Sequence, residues 1–190
     1  LEDRHLKDIA FSGNGEPTSA EEFPEVISIV KKILGEFNLL HKLKVRLITN
    51  GSLMHQASVI KSVEMLKEMN GEVWFKVDAA TEETIKAINQ VNLKPHQILE
   101  RLKNSANVCP TFVQTCIFTI DGKGPCRKDI DAYIELINEV KSSIQGVHLY
   151  GLARPSLQPQ AKNLGRISED ILQNISKELR NLNIATTVSY

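Results

Sequence analysis

Cysteine is scarce in this chain of 190 residues, and none occurs before Cys109. Cys109, Cys116 and Cys126 are seven and ten positions apart. So odd and sparse a set excludes a disulfide-stapled scaffold and fits a reducing compartment, so a cytoplasmic location is expected. An excess of either charge is missing too: 23 Lys and Arg balance 23 Asp and Glu, with no block of like sign. Free-standing nucleic-acid binding carries a basic stripe and membrane-surface binding a basic amphipathic helix; the sequence shows neither. No apolar run approaches the roughly 20 residues that span a bilayer. The charged stretch from Leu1 to Asp8 reads against a signal peptide, so no membrane partner is expected. His5, His41, His55 and His96 have no metal-ligand spacing.

What is present is the composition of a globular domain, 42% hydrophobic and 24% charged. That is enough apolar surface for a core, and residues 1–190 read as a single domain. Ile9 to Phe11 reads as a strand running into Ser12-Gly13-Asn14-Gly15-Glu16-Pro17. Val26, Ile29, Val30, Ile33, Leu34 and Phe37 recur at helical spacing, which predicts a helix from Glu22 to Phe37. Val45 to Ile48 is a strand, and Val59, Ile60, Val63 and Leu66 mark a helix that Asn70-Gly71 ends. Strands follow at Val73 to Val77, Phe112 to Ile120, Val147 to Leu152 and Ile184 to Val188. Between them lie helices capped by Thr81 and Ser168, a helix over Pro95 to Lys103, and a stripe of Ile130, Tyr133, Ile134, Ile137 and Val140. Six strands alternating with helices imply an α/β fold of mostly parallel strands with right-handed crossovers. Pattern alone leaves a barrel and an open doubly wound sheet both standing.

In parallel α/β folds, ligands bind at the carboxyl ends of the strands. Here those ends read Gly13-Asn14-Gly15-Glu16-Pro17-Thr18, Thr49-Asn50-Gly51-Ser52, Lys76-Val77-Asp78, Thr119-Ile120-Asp121-Gly122 and Tyr150-Gly151-Leu152-Ala153-Arg154-Pro155. Together they describe a pocket for a polar, partly charged small molecule. The glycine loop lacks the third glycine of a dinucleotide fingerprint and the Gly-Lys-Ser/Thr of a P-loop. Glu16 beside it repels phosphate and attracts a positive group.

Phe11-Ser12-Gly13-Asn14-Gly15-Glu16-Pro17-Thr18 is similar to the GGEP loop of radical S-adenosylmethionine (SAM) enzymes. Arg46-Leu47-Ile48-Thr49-Asn50-Gly51 resembles the next barrel strand of that family, and Trp74-Phe75-Lys76-Val77-Asp78-Ala79 the one after. Thr84 to Asn92 resembles the following segment in the branch that holds the wyosine-type tRNA-modifying enzymes and related iron–sulfur oxidoreductases. Val147 to Pro155 looks like a later strand. The resemblance covers about Leu6 to Ser156. It implies a partial (β/α) barrel of TIM type, with the first strand of the family barrel absent.

The chemistry the resemblance implies is electron transfer from a 4Fe–4S cluster to SAM. Cleavage of SAM gives a 5′-deoxyadenosyl radical that abstracts hydrogen from substrate, while the protein positions the cofactor. In that frame Gly13, Asn14, Gly15 and Glu16 would hold the methionine amino group, by backbone carbonyls and opposite charge. Thr49 and Asn50 would lie near SAM, Lys76 suits its carboxylate, Asp78 its ribose hydroxyls, and Arg154 a carboxylate or phosphate. Bland readings stand beside each: a surface turn for Glu16, a tight turn and helix cap for Thr49 and Asn50, an internal ion pair for Lys76 and Asp78, and a surface salt bridge for Arg154. Gln114 and Thr119 read as barrel filling, His148 as a satisfied core histidine, Trp74 as packing and Cys116 as a small hydrophobe.

One departure from the family pattern is large. The family holds its cluster through Cys-x3-Cys-x2-Cys ahead of the GGEP loop, and this chain has no such run. The expectation is a piece whose cluster segment lies upstream, inactive alone, with an open strand edge that favours self-association. Its partners would be an electron donor for the cluster and an unknown substrate: a tRNA base, a protein or a small molecule. Two other readings remain. One is an aldolase-like barrel with Lys76 as its Schiff-base lysine; the other is a non-catalytic SAM-binding module.

Overall fold

The structure is a computed structural model that describes residues 6–13, 15–153 and 159–190. The backbone gathers into two compact units. One runs to Phe75 and includes Arg101–Thr111; the other comprises Lys76–Glu100 and Phe112–Tyr190.

In the first unit, β1 (Asp8–Phe11), β2 (Lys44–Thr49) and β3 (Gly71–Lys76) pair in parallel, with Asp8 opposite Lys44 and Val45 opposite Gly71. The crossovers are α1 (Phe23–Glu36) and α2 (Ala57–Glu68). Strand alternation sorts the side chains: Val45, Leu47 and Thr49 are buried beneath the helices, while Lys44, Arg46 and Ile48 line a half-buried opposite face. Phe23, Ile27 and Leu34 form the buried stripe of α1, with Pro24 in its first turn, where the missing N–H costs nothing. Lys31 and Ser28 face α2, through Glu68 at 2.5 Å and the Met65 sulfur at 3.7 Å. The helix forms where the spacing predicts, but of the predicted stripe only Leu34 is buried and Val30 half-buried, while Val26, Ile29, Ile33 and Phe37 are exposed.

The strand β3 begins two residues before the sequence suggests. Gly71 makes this possible, because a Cβ there would sit 2.2 Å from the Leu66 carbonyl oxygen. The chain turns from α2 into β3 within that close approach.

The second unit holds α3 (Glu82–Asn89), the start of α4 (Pro95–Val108), nearly all of β4 (Thr111–Ile120), α5 (Arg127–Asn138), β5 (Gly146–Gly151), β6 (Leu164–Arg166), α6 (Glu169–Asn181) and β7 (Thr186–Ser189). β4, β5 and β7 run parallel. β6 pairs antiparallel with the end of β4, Phe118 opposite Arg166. This strand went unread because three residues give no period to detect. Thr81 caps α3 through a reciprocal pair with Thr84, as its position suggests. Ser168 sits at the start of α6 with extended backbone and no capping bond from its side chain. The last strand starts at Thr186 rather than Ile184, because Ile184 is buried in the core ahead of it. Among the described residues no helix is long and apolar enough to cross a membrane.

Candidate functional site

In the first unit the polar exits of β1 and β2 meet on one carboxylate. Glu16 Oε1 accepts from Thr49 Oγ1 at 2.6 Å, from Thr18 Oγ1 at 2.7 Å and from the Thr18 N–H at 3.2 Å. Its Oε2 accepts from the Asn50 N–H at 2.7 Å. These donors are all neutral, and no cationic side chain among the described residues lies within ion-pair distance of Glu16. Its negative charge is therefore held in place but left uncancelled. Thr49 Oγ1 also accepts the Gly51 N–H at 3.0 Å, and Asn50 Oδ1 accepts the Ser52 N–H at 2.8 Å. The turn reading of Thr49 and Asn50 is thus realised, and it serves to aim the loop. Gly51 has φ +68°, and a Cβ there would stand 2.1 Å from the Phe75 ring. Gly13 and Gly15 have open space around them. Asn14 and Arg154 lie outside the described residues.

On the half-buried face of the same sheet, at the amino ends of the strands, Arg46 donates to Glu72 at 2.8 Å and pairs with Asp8. Lys44 approaches Glu72 at 3.3 Å, and the Trp74 indole N–H donates to it at 3.0 Å. The Arg46 guanidinium lies 4.9 Å over the Trp74 ring. Burial pushes the Glu72 carboxyl upward, but Arg46, Trp74 and Lys44 together hold it below its ordinary range. At the amino ends of the strands such a network braces the sheet.

In the second unit Lys76 and Asp78 do project to one side. Lys76 Nζ is 3.1 Å from Asp78 Oδ2 and donates to Tyr150 Oη at 3.1 Å. Asp78 Oδ1 accepts the Cys116 N–H at 2.9 Å. Cys116 on β4 stands opposite Tyr150 on β5 in register. Burial works against the Lys76 charge, but Asp78 and Tyr150 outweigh it and hold the amine well above the usual lysine range. A Schiff-base lysine needs the opposite, a free amine near neutral pH. Burial pushes the Cys116 thiol up to about 11 and the Tyr150 phenol up from its ordinary value. The sequence pattern assigns Tyr150 no role and reads Cys116 as packing, whereas the structure aligns the two across neighbouring strands. Their same-face parity on neighbouring parallel strands was the available signal, since Gln114 and Cys116 pair with His148 and Tyr150.

His148 is half-buried, stacked on Phe112 at 4.8 Å with Nδ1 2.6 Å from Thr187 Oγ1, in keeping with a satisfied histidine. Thr119 packs against Gly165 of β6. Beside Asp78 and Cys116, a cavity of about 240 Å³ opens among the carboxyl half of β4, α3 and α5.

The cysteines do not suit a cluster. Cys109 is buried and donates to the Gly71 carbonyl, with burial pushing its thiol up to about 12. Cys126 is exposed at the start of α5 beside Asp129, 2.9 Å from its Oδ2. Among the described residues no three metal-ligating side chains gather.

No protein-family model matches the sequence, and no curated protein is significantly similar to it. Solved structures do match the backbone. A domain of pyruvate-formate lyase-activating enzyme from Bacteroides vulgatus ATCC 8482 is 14% identical with TM-score 0.65, over 97% of this chain and all of that one. A radical SAM methyltransferase from Sphaerobacter thermophilus is 16% identical with TM-score 0.69, over 98% of this chain and 52% of its own. SuiB from Streptococcus suis is 12% identical with TM-score 0.69, over 96% of this chain and 39% of its own; it has also been solved with S-adenosylmethionine bound. The fold is therefore α/β, with the parallel strands of a partial barrel of the radical SAM kind. This chain spans about half of the methyltransferase and two fifths of SuiB.

Proposed function

We infer that this chain is the SAM-binding part of a radical SAM enzyme. The observation that carries the reading is Glu16, an anion with no cationic partner among the described residues, fastened by Thr18, Thr49 and Asn50 where the first two strands of its unit end. A methionine amino group is the cation it suits. Its Oε1 accepts three hydrogen bonds and its Oε2 only one, so an acceptor position on Oε2 stays open. The amino group is held by backbone carbonyls of Gly13, Asn14 and Gly15 and by the opposite charge of Glu16, whose Oε2 accepts only the Asn50 N–H. Asp78 keeps acceptor capacity beyond its bonds to Lys76 and Cys116, which fits ribose hydroxyls. Lys76 offers its charge to a carboxylate while staying tied to Asp78, and Arg154 is a further clamp for one.

When bound and reduced, SAM supplies a 5′-deoxyadenosyl radical for hydrogen abstraction. This chain's own residues bind and orient the cofactor. Cluster ligation and electron delivery belong to protein outside these residues, so the chain alone is expected to be inactive. The likeness to SAM-binding neighbours supports the reading; the raised Lys76 stands against the aldolase alternative.

Trp74, the one tryptophan, makes a fluorescence titration practical. SAM is expected to bind the 190-residue chain saturably, with affinity lowered about tenfold in Glu16→Gln, a loss of about 1.4 kcal/mol. Calorimetry supplies the second readout. Absence of binding at millimolar SAM, with a folded chain by circular dichroism, would overturn the proposal.

A further inference from the structure

The cavity beside β4 meets the residues assigned to SAM only at Asp78, and its lining has a definite chemistry. Its walls are Ala79, Ala80, Ala87, Ile88, Ile117, Ile130 and Ile175, and its polar members are Asp78, Thr84, Asp129, Lys123 and Tyr133. Apart from Lys123, each of those polar side chains already has hydrogen-bond partners. Thr84 exchanges bonds with Thr81; Asp129 Oδ1 takes the Thr81 hydroxyl and Oδ2 the Cys126 N–H and thiol. Tyr133 Oη is 2.8 Å from Thr115 Oγ1, and Asp78 is held by Lys76 and Cys116. A buried water needs two to four polar partners, and a cavity that offers few favours apolar contents. The cavity measures about 240 Å³.

We propose that this cavity is a binding site for an uncharged apolar group, an aromatic ring or a branched aliphatic chain. It opens at the carboxyl half of β4, where parallel α/β proteins place their ligands. The group belongs to a ligand whose polar remainder extends toward Asp78 and Cys116, because both border the cavity. The proposal shares only Asp78 with the SAM reading, and SAM binding is followed separately by Trp74 fluorescence.

The test uses toluene as the probe, with benzoate and benzylamine as charged counterparts of the same ring. Isoleucine δ1 methyls labelled with carbon-13 report by NMR. Saturable shifts are expected at Ile88, Ile117, Ile130 and Ile175, with Ile27 and Ile48 of the other unit unmoved. Benzoate and benzylamine are expected to bind about tenfold more weakly, a difference of about 1.4 kcal/mol. Ala87→Phe, at an exposed wall position on α3, fills the space and is expected to abolish the shifts; Ile88→Phe gives the same result if Ala87→Phe does not fold. Toluene shifts that never saturate, that spread to Ile27, or that survive either filling variant would overturn the site. Tighter binding of either charged ring than of toluene would overturn the assignment to an uncharged group.

Discussion

Thr49 Oγ1 donates to Glu16 Oε1 at 2.6 Å and joins the exit of β2 to the loop after β1. The bond is charge-assisted, and Glu16 receives three more from Thr18 and Asn50. Such bonds contribute more than neutral ones, roughly 1.5–3 kcal/mol each. Thr49→Val removes one donor and leaves the Gly51 N–H without its acceptor. It is expected to destabilise the chain by about 2 kcal/mol in urea unfolding. A change below a few tenths of a kcal/mol would show that the loop is not held by this contact.

Gly51→Ala is expected to be among the most damaging small substitutions. A Cβ there meets the buried Phe75 ring, and φ is +68°. Left-handed strain of roughly 1–2 kcal/mol adds to overpacking of about 1–3 kcal/mol. The check is the midpoint of thermal or urea unfolding; a wild-type midpoint would mean that Phe75 yields freely.

Asp78→Asn leaves Lys76 charged beside Tyr150 without its carboxylate. The Lys76 side chain is 32% exposed and that of Asp78 9%, so the penalty falls below that of a fully buried pair, on the order of 2 kcal/mol. The folded-state pKa of Lys76 is raised, so the pair's contribution is fully present below the ordinary lysine value near 10.5 and fades as pH rises beyond it. Stability measured from pH 8 upward should therefore decline less steeply in Asp78→Asn than in the wild type. Parallel curves would show that the pair does not govern this range.

The three thiols should separate by environment. Cys126 is exposed and is expected to react first with a disulfide reagent in the native chain. Cys116 and Cys109 are raised to about 11 and about 12 from 9.0, so their neutral forms favour the folded state. That contribution is complete below pH 9 and lost progressively as pH climbs toward those values. Mass spectrometry after brief labelling at pH 8 should find Cys126 modified and Cys109 untouched. Equal labelling of all three would contradict the burial.

The flank of α1 turned away from α2 carries Val26, Ile29, Ile33 and Phe37, and β1 has an unpaired edge among the described residues. An apolar flank beside an open edge favours association with a second copy. Sedimentation velocity should show dimer in the wild type and monomer in Ile29→Lys/Ile33→Lys, with unfolding midpoints nearly equal because both positions are about half exposed. A wild-type monomer at high concentration would end the idea.

The order of elements was legible in the chain because helical spacing such as that from Val26 to Phe37 and strand runs such as Val45 to Ile48 are local; which side of the first helix is buried was not, since Phe23 and Ile27 go inside while Val26, Ile29, Ile33 and Phe37 are exposed. The sequence by itself also determined that the strand exits are polar, including Glu16, Thr49, Asn50, Lys76 and Asp78. Only the tertiary structure decided what those residues do. Lys76 became a partner of Tyr150, 74 positions away, and Cys116 left the core for the face it shares with Tyr150. Glu16 acquired donors from Thr49 and Asn50, 33 and 34 positions on. β6 exists only because Leu164 to Arg166 lies along the end of β4. Register and strand pairing set such contacts, and neither leaves a period in the chain, whereas burial on one face of a helix or strand does.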